Sequence, residues 1–170
     1  MLYEKFGEFD SAEELNRAAE AQKNEGDIEA LKLLAKENGI DAEDAKDYAN
    51  GDTSALCTPL TAALGKLSVE RADLKSSEMI SDWIDYIEST LIGDERMQLA
   101  VRRKGKSIIE CIGKLLAWSF NNQYRIDDRI VKASGLALPE YLKKNGVHVG
   151  SPGIATSKKL IREYYLGEKS

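Results

Sequence analysis

The chain has 170 residues, of which 42% are hydrophobic and 31% charged, and its net charge is −5. This composition is typical of a soluble globular protein, and no apolar run approaches the roughly 18 residues that a membrane span needs. Cys57 and Cys111 are too few for a disulfide framework and show no zinc-ligand spacing. We therefore expect a cytoplasmic protein with two reduced, buried thiols, no metal and no cofactor.

The charge is divided unevenly along the chain. Residues 1–95 carry 23 acidic and nine basic side chains, a net charge of −14, whereas residues 96–170 carry six acidic and 15 basic ones, a net charge of +9. Such asymmetry can mark a partner of one charge sign. It is equally consistent with two halves that pack together and neutralise each other in part.

Capping residues and glycines predict four helices in the first part of the chain. The residues expected to begin and end them are Ser11 and Gly26, Asp27 and Gly39, Asp41 and Gly51, and Thr53 and about Gly65. At the first of these, Ser11 and Glu14 match a capping box, in which each side chain accepts a hydrogen bond from the other's backbone N–H.

Further helices are predicted in the rest of the chain, within "VERADLKSSEMISDWIDYIESTLIGD", "ERMQLAVRRKG", "IIECIGKLLAWSFNN", "DDRIVKASG", "LPEYLKKNG" and "TSKKLIREYYLG". The third of these is the most apolar and is expected at the centre of the core. Only "LYEKFGEF" and "VHV" resemble strands. The sequence predicts an all-α bundle of about eight to ten short helices with at most a two-stranded β element. Its parts are an acidic helical unit, 1–66, and a helical core with a basic end, 67–170, or both form one continuous domain.

The stretch "AVRRKGKS" ends in Gly-Lys-Ser, as a phosphate-binding loop does. Ala100 stands where the first glycine of that loop should be, and the preceding segment is predicted to be a helix rather than a strand. We therefore interpret Gly105 as the end of one helix and Ser107 as the cap of the next. The cations Arg102, Arg103, Lys104 and Lys106 remain candidates for binding nucleic acid.

The segment "LLAKENGIDAEDAKDYANG" has the pattern of a helix-turn-helix. Its second helix, however, carries Asp41, Glu43, Asp44 and Asp47 against a single lysine, so DNA phosphates would repel it. Like charges three or four residues apart also repel one another, so a purely structural helix should gain nothing from them. These four residues are therefore candidates for binding a basic protein surface. The alternative, an ordinary solvated helix face, stays open.

Two parts of the chain resemble proteins of mobile genetic elements. "AVRRKGKSIIECIGKLLAWSF", "DDRIVKASG" and "KKLIREYYLG" resemble the C-terminal region of the PcfK-like proteins of conjugative elements. The matching features are the run from Lys104 to Ser107, Cys111, the pair Asp127–Asp128 and the pair Tyr164–Tyr165. The N-terminal "FDSAEELNRAAEAQKNEGDIEALKLLAKENGIDAEDAKDYANG" resembles small proteins of phages and mobile elements in Firmicutes. Some PcfK-like proteins are type II anti-CRISPRs, so the resemblance implies a Cas9 inhibitor.

Charge pattern and resemblance together lead to one main hypothesis. The chain is expected to be a non-enzymatic phage or mobile-element protein that binds Cas9, or another nucleic-acid-handling protein with a basic channel, through its acidic surface. The alternative is a nucleic-acid-binding accessory protein of conjugation that acts through its basic C-terminal half. A third possibility is an enzyme whose catalytic residues follow no recognisable motif, since no nucleophile elbow is present.

Overall fold

The computed structural model describes residues 2–74 and 78–167, and 67% of these residues are helical. Within these residues there are ten helices, so the all-α prediction is confirmed. They are α1 Ala12–Asn24, α2 Ile28–Glu37, α3 Ala42–Asn50, α4 Pro59–Leu74, α5 Glu78–Leu91, α6 Glu95–Arg102, α7 Ile108–Asn121, α8 Asp128–Ala133, α9 Glu140–Asn145 and α10 Ile154–Leu166.

The predicted minor β element also exists. Strand β1, Tyr124–Arg125, pairs antiparallel with β2, His148–Val149, so that Tyr124 lies opposite Val149. The segment "VHV", one of the two that resembled strands, contains β2, whereas β1 had no recognisable sequence signal. The possible strand at "LYEKFGEF" is wrong, because residues 2–9 form bends, turns and irregular backbone.

Most predicted helix starts are correct because they depend on short-range hydrogen bonds. Ser11 accepts the N–H of Glu14 at 3.2 Å, and Ser107 accepts the N–H of Glu110 at 3.1 Å. The capping box differs in one detail, since the Glu14 carboxylate accepts the N–H of Asp10 at 2.9 Å and not that of Ser11. Each arrangement satisfies a backbone donor that the first helical turn leaves unpaired.

The fourth helix was placed wrongly. It begins at Pro59 rather than near Thr53, and Thr58 caps it by accepting the N–H of Thr61 at 3.1 Å. Proline is well suited to the first helical position because its missing N–H has no helical partner there. The helix also runs through Gly65, which was expected to end it, and continues to Leu74.

The buried side chains form two hydrophobic clusters that meet on α4. The N-terminal cluster unites α1–α3 with the start of α4, up to Ala62, and the second cluster begins at Ala63 and unites α4–α7 with α10. Helix α4 packs against α6 and also contacts α1, α5 and α7. The division predicted at residue 66 therefore falls inside a helix that contributes to both clusters. No helix among the described residues combines the length and apolarity required to cross a membrane.

Candidate protein-binding surface

The acidic candidate residues lie on a hairpin of α2 and α3 that is fixed to α4 by a contact between two glycines. Gly39, in the turn between α2 and α3, has a φ of +66°, which favours glycine. A β-carbon on Gly39 would overlap the backbone of Gly65, and one on Gly65 would overlap the carbonyl oxygen of Asn38. The absence of both side chains thus allows the hairpin turn to rest directly on the α4 backbone.

A buried arginine is hydrogen-bonded to the same turn. Arg102, at the end of α6, is 1% exposed, and its Nη2 donates to Oδ1 of Asn38 at 2.7 Å. Asn38 is fully buried, and its Nδ2 donates to the carbonyl oxygen of Leu34 at 2.9 Å. Arg102 therefore cannot contact a nucleic-acid phosphate, and its proposed place in the basic surface is wrong. Its role is to connect the end of α6 to the turn of the α2–α3 hairpin.

The carboxylates of α3 are concentrated at its N-terminal end. Asp41 caps the helix by accepting the N–H of Glu43 at 2.7 Å, and Glu43 and Asp44 stand in the first turn. There the helix dipole stabilises negative charge, so the expectation that a structural helix gains nothing from these residues is wrong. Asp47, half-buried in the second turn, lies outside this effect.

These four carboxylates remain available to a partner but do not all face the same way. Among the described residues, none of Asp41, Glu43, Asp44 and Asp47 forms a salt bridge. Asp41 lines a groove between α2 and α3, whereas Asp44 lines a second groove beside residues 53–58. The acidic surface therefore wraps around the N-terminal end of α3 and borders both grooves.

The groove between α2 and α3 has a volume of about 830 Å³. Its apolar lining comes from small and branched side chains of both helices and the turn: Ile28, Ala35, Ile40, Ala42, Ala45 and Ala49. Its charged lining consists of Lys32, Lys36, Lys46 and Asp41. None of the sequence patterns described above predicted this groove. The sequence feature that indicates it is the spacing of Ala42, Ala45 and Ala49 by three and four residues, because this spacing places small side chains along one face of a helix.

The basic run after α6 is largely occupied by contacts within the protein. The backbone N–H of Lys104 donates to Asp10 at 3.0 Å, and that of Gly105 donates to Glu8 at 3.2 Å. Lys106 donates to the carbonyl oxygen of Tyr164 at 2.6 Å, and its Nζ lies 4.4 Å from the centroid of that ring. The loop follows a helix and binds carboxylates of its own chain, as expected for a helix connection and not for a phosphate-binding loop. Arg103 and the side chain of Lys104 stay exposed.

A buried ion-pair network joins the acidic N-terminal segment to the second cluster. Lys66 on α4 is 1% exposed; its Nζ contacts the Glu8 carboxylate and donates to the carbonyl oxygen of Arg103 at 3.0 Å. Glu70, one turn further, accepts the N–H of Ile108 at 2.8 Å. Burial raises the pKa of Glu70, although that N–H and Lys66 oppose the shift. The ion pair itself lies within the acidic half, which contacts the basic half here through the backbone of Arg103 and Ile108. A salt bridge between the two halves is formed by Asp94 and Arg162, 3.0 Å apart.

The cysteines are placed as expected. Cys57 and Cys111 are both free and buried. Burial raises the pKa of Cys57 to about 11 and that of Cys111 to about 12, so neither is a thiolate at neutral pH. Within the described parts of the chain, no group of three or more His, Cys, Asp or Glu residues could hold a metal ion.

Comparison of the chain with models of protein families, with curated proteins and with solved structures found no match. The acidic surface on α3, with its two bordering grooves, is therefore assigned from geometry and charge alone.

Proposed function

We propose that this chain is a non-enzymatic interaction protein that binds a basic protein surface with the N-terminal end of α3. The observation that carries the proposal is the group of four carboxylates, Asp41, Glu43, Asp44 and Asp47, that no cation of the described chain pairs with. Such unpaired surface charge attracts a partner of opposite sign and raises the association rate.

The surroundings of α3 support the same conclusion. Residues 2–58 present twelve exposed carboxylates against five exposed cations, four lysines and Arg17, so the potential over this unit is negative. The groove beside Asp41 adds apolar surface at the edge of the acidic patch. Because three lysines line that groove beside Asp41, the groove itself suits apolar side chains of a partner. The electrostatic attraction of a basic partner comes from the carboxylates at the N-terminal end of α3.

The resemblance to PcfK-like proteins supplies the identity of the partner. In this proposal the partner is Cas9, whose channel for nucleic acid is positively charged, and the chain inhibits it by occupying that channel. The protein would act in the cytoplasm of a bacterium that carries the phage or conjugative element. No bound cofactor is required, since the inhibition consists of binding alone.

The alternative, binding of nucleic acid by the basic half, now depends on fewer residues. Arg103 and Lys104 are exposed, which favours it, but Arg102 is buried and Lys106 is bound to Tyr164. The two exposed cations of this run contribute little affinity by themselves at physiological salt. A gel shift at about 150 mM salt should therefore show weak binding or none, and tight binding abolished by Arg103→Ala with Lys104→Ala would favour this alternative.

The main proposal is tested by a pull-down of purified Cas9 on the immobilised chain, with and without guide RNA. We expect capture of Cas9 in at least one of these states, and weaker capture as the salt concentration rises, because the contact is electrostatic. Absence of Cas9 from both captures would contradict the proposal. Capture that does not depend on salt would contradict the role of the acidic surface.

A further inference from the structure

A continuous apolar surface lies at the other cluster, across α5, α7 and the segment from β2 to α10. Five exposed apolar side chains line it: Met79, Leu116, Phe120, Val149 and Ile154. The surface contains two grooves, of about 480 and 280 Å³, and both are lined by Met79 and Trp83. It is therefore a single surface rather than scattered exposed residues.

The size of this surface matches the apolar part of a dimer interface. Its five side chains are between 47% exposed, at Val149, and 78% exposed, at Ile154. With roughly 150–200 Å² for each such side chain when fully exposed, they present about 500 Å² of apolar area. A standard interface buries about 800 Å² per partner, and about 65% of a homodimer interface is apolar, which also gives about 500 Å².

Two opposite charges flank the second groove. Asp82 and Lys158 both line it, yet within the described chain neither forms a salt bridge, and the Nζ of Lys158 lies 5.1 Å from the centroid of the Tyr86 ring instead. An apolar surface with one unpaired acid and one unpaired base is complementary to itself. Two-fold symmetry would bring each acid to the base of the other copy, because the same surface meets itself in reverse.

We propose that a second copy of this chain covers this surface, forming a two-fold symmetric dimer in which Asp82 of each copy pairs with Lys158 of the other. The dimer buries Phe120 and Ile154 at its centre. It leaves α3 open on both copies, since α3 belongs to the N-terminal cluster and packs against α2. This inference goes beyond the proposed function and does not depend on it, because it concerns the free protein.

Sedimentation equilibrium of the full chain measures the proposed state directly. At about 50 μM we expect a mass twice the 18.8 kDa of one chain. Ile154→Asp should weaken the dimer at least tenfold, because it places a charge in the interface. Ile92→Asp is the matched control: Ile92 is also 78% exposed but lies outside the surface, so the dimer should persist. Circular dichroism of both variants verifies that they fold.

A charge exchange tests the pairing within the dimer. Asp82→Lys alone places two lysines opposite each other at both pairs and should weaken the dimer, as should Lys158→Asp alone. The double variant restores opposite charges and should recover most of the lost affinity. A monomeric wild-type chain at about 200 μM would overturn the dimer proposal. Equal dimerisation of Ile154→Asp and Ile92→Asp would overturn this surface as the interface, and a double variant no better than the singles would overturn the pairing.

Discussion

The close contact between Gly39 and Gly65 can be tested by adding one methyl group. Gly65→Ala places a β-carbon where the Asn38 carbonyl oxygen and the Gly39 backbone already lie. Neither neighbour is a side chain that can rotate away, so the hairpin turn and α4 must separate. Overpacking of this kind costs about 1–3 kcal/mol. Alanine in place of glycine inside a helix recovers up to about 1 kcal/mol. Because both neighbours are backbone atoms, the cost lies near the upper end of that range, and the net expectation is a loss of about 2 kcal/mol in the free energy of unfolding.

Gly113→Ala in α7 is the matched control, since a β-carbon at Gly113 has no heavy atom of a neighbouring residue within 4 Å. That variant should gain about 0.5–1 kcal/mol from helix propensity alone. Thermal unfolding distinguishes the two, because 1 kcal/mol shifts the Tm of a chain of this size by about 2–4 °C. We expect the Tm to fall for Gly65→Ala and to rise for Gly113→Ala. A rise in both would refute the close packing of the hairpin on α4.

Two further predictions follow from the pKa shifts. The pKa of Asp94 is lowered mainly by the hydrogen bond from Arg162, at 3.0 Å, and to a smaller extent by that from the N–H of Met97. The ionised carboxylate therefore stabilises the fold above the ordinary aspartate pKa. This stabilisation is lost as the pH falls through the lowered pKa. The stability advantage of the wild type over Asp94→Asn in urea unfolding should therefore be present at pH 7 and vanish by about pH 2, whereas a constant difference would contradict it. Because burial raises the pKa of Cys57 and Cys111 to about 11 and about 12, a thiol reagent at pH 8 should modify them only upon unfolding, and rapid modification of the native protein would contradict their burial.

The parts of the fold that the sequence predicts well are those set by neighbouring residues. The caps at Ser11, Asp27 and Ser107 each accept a hydrogen bond from the backbone N–H three residues further on, so a few neighbouring residues suffice to identify them. The fourth helix shows where such signals fail. The sequence does not distinguish a glycine that ends a helix from one that allows another backbone segment to pack closely against the helix. Gly65 is of the second kind, because it contacts the backbone of Asn38 and Gly39, about 26 residues earlier in the chain.

The candidate site was predictable in composition but not in geometry. The four acidic residues could be named from charge alone, whereas the burial of Arg102 depends on how α6 packs against α4. That orientation buries Gln98 and Arg102, four residues apart on a polar stripe, and both find buried hydrogen-bond acceptors, the carbonyl oxygen of Leu91 and the side chain of Asn38. A run of three cations is usually solvated, so its first member gave no sign of a structural role.

The central claim, that the N-terminal end of α3 binds Cas9 through its charge, depends on one comparison of association rates. The test variant replaces Asp41, Glu43, Asp44 and Asp47 with Asn or Gln. Asparagine at position 41 still caps the helix, so the fold should be retained. The control variant neutralises four exposed carboxylates elsewhere on the chain, Glu20, Asp73, Glu78 and Glu95, and so changes the net charge equally.

Association of each variant with immobilised Cas9 is measured at low salt and again at about 150 mM salt. We expect the α3 variant to associate at least about tenfold more slowly than the wild type at low salt, and the control variant to lose far less, because attraction acts most strongly between charges that face the partner. Equal slowing of both variants would show that only the net charge matters. An unchanged rate for the α3 variant would contradict the claim outright.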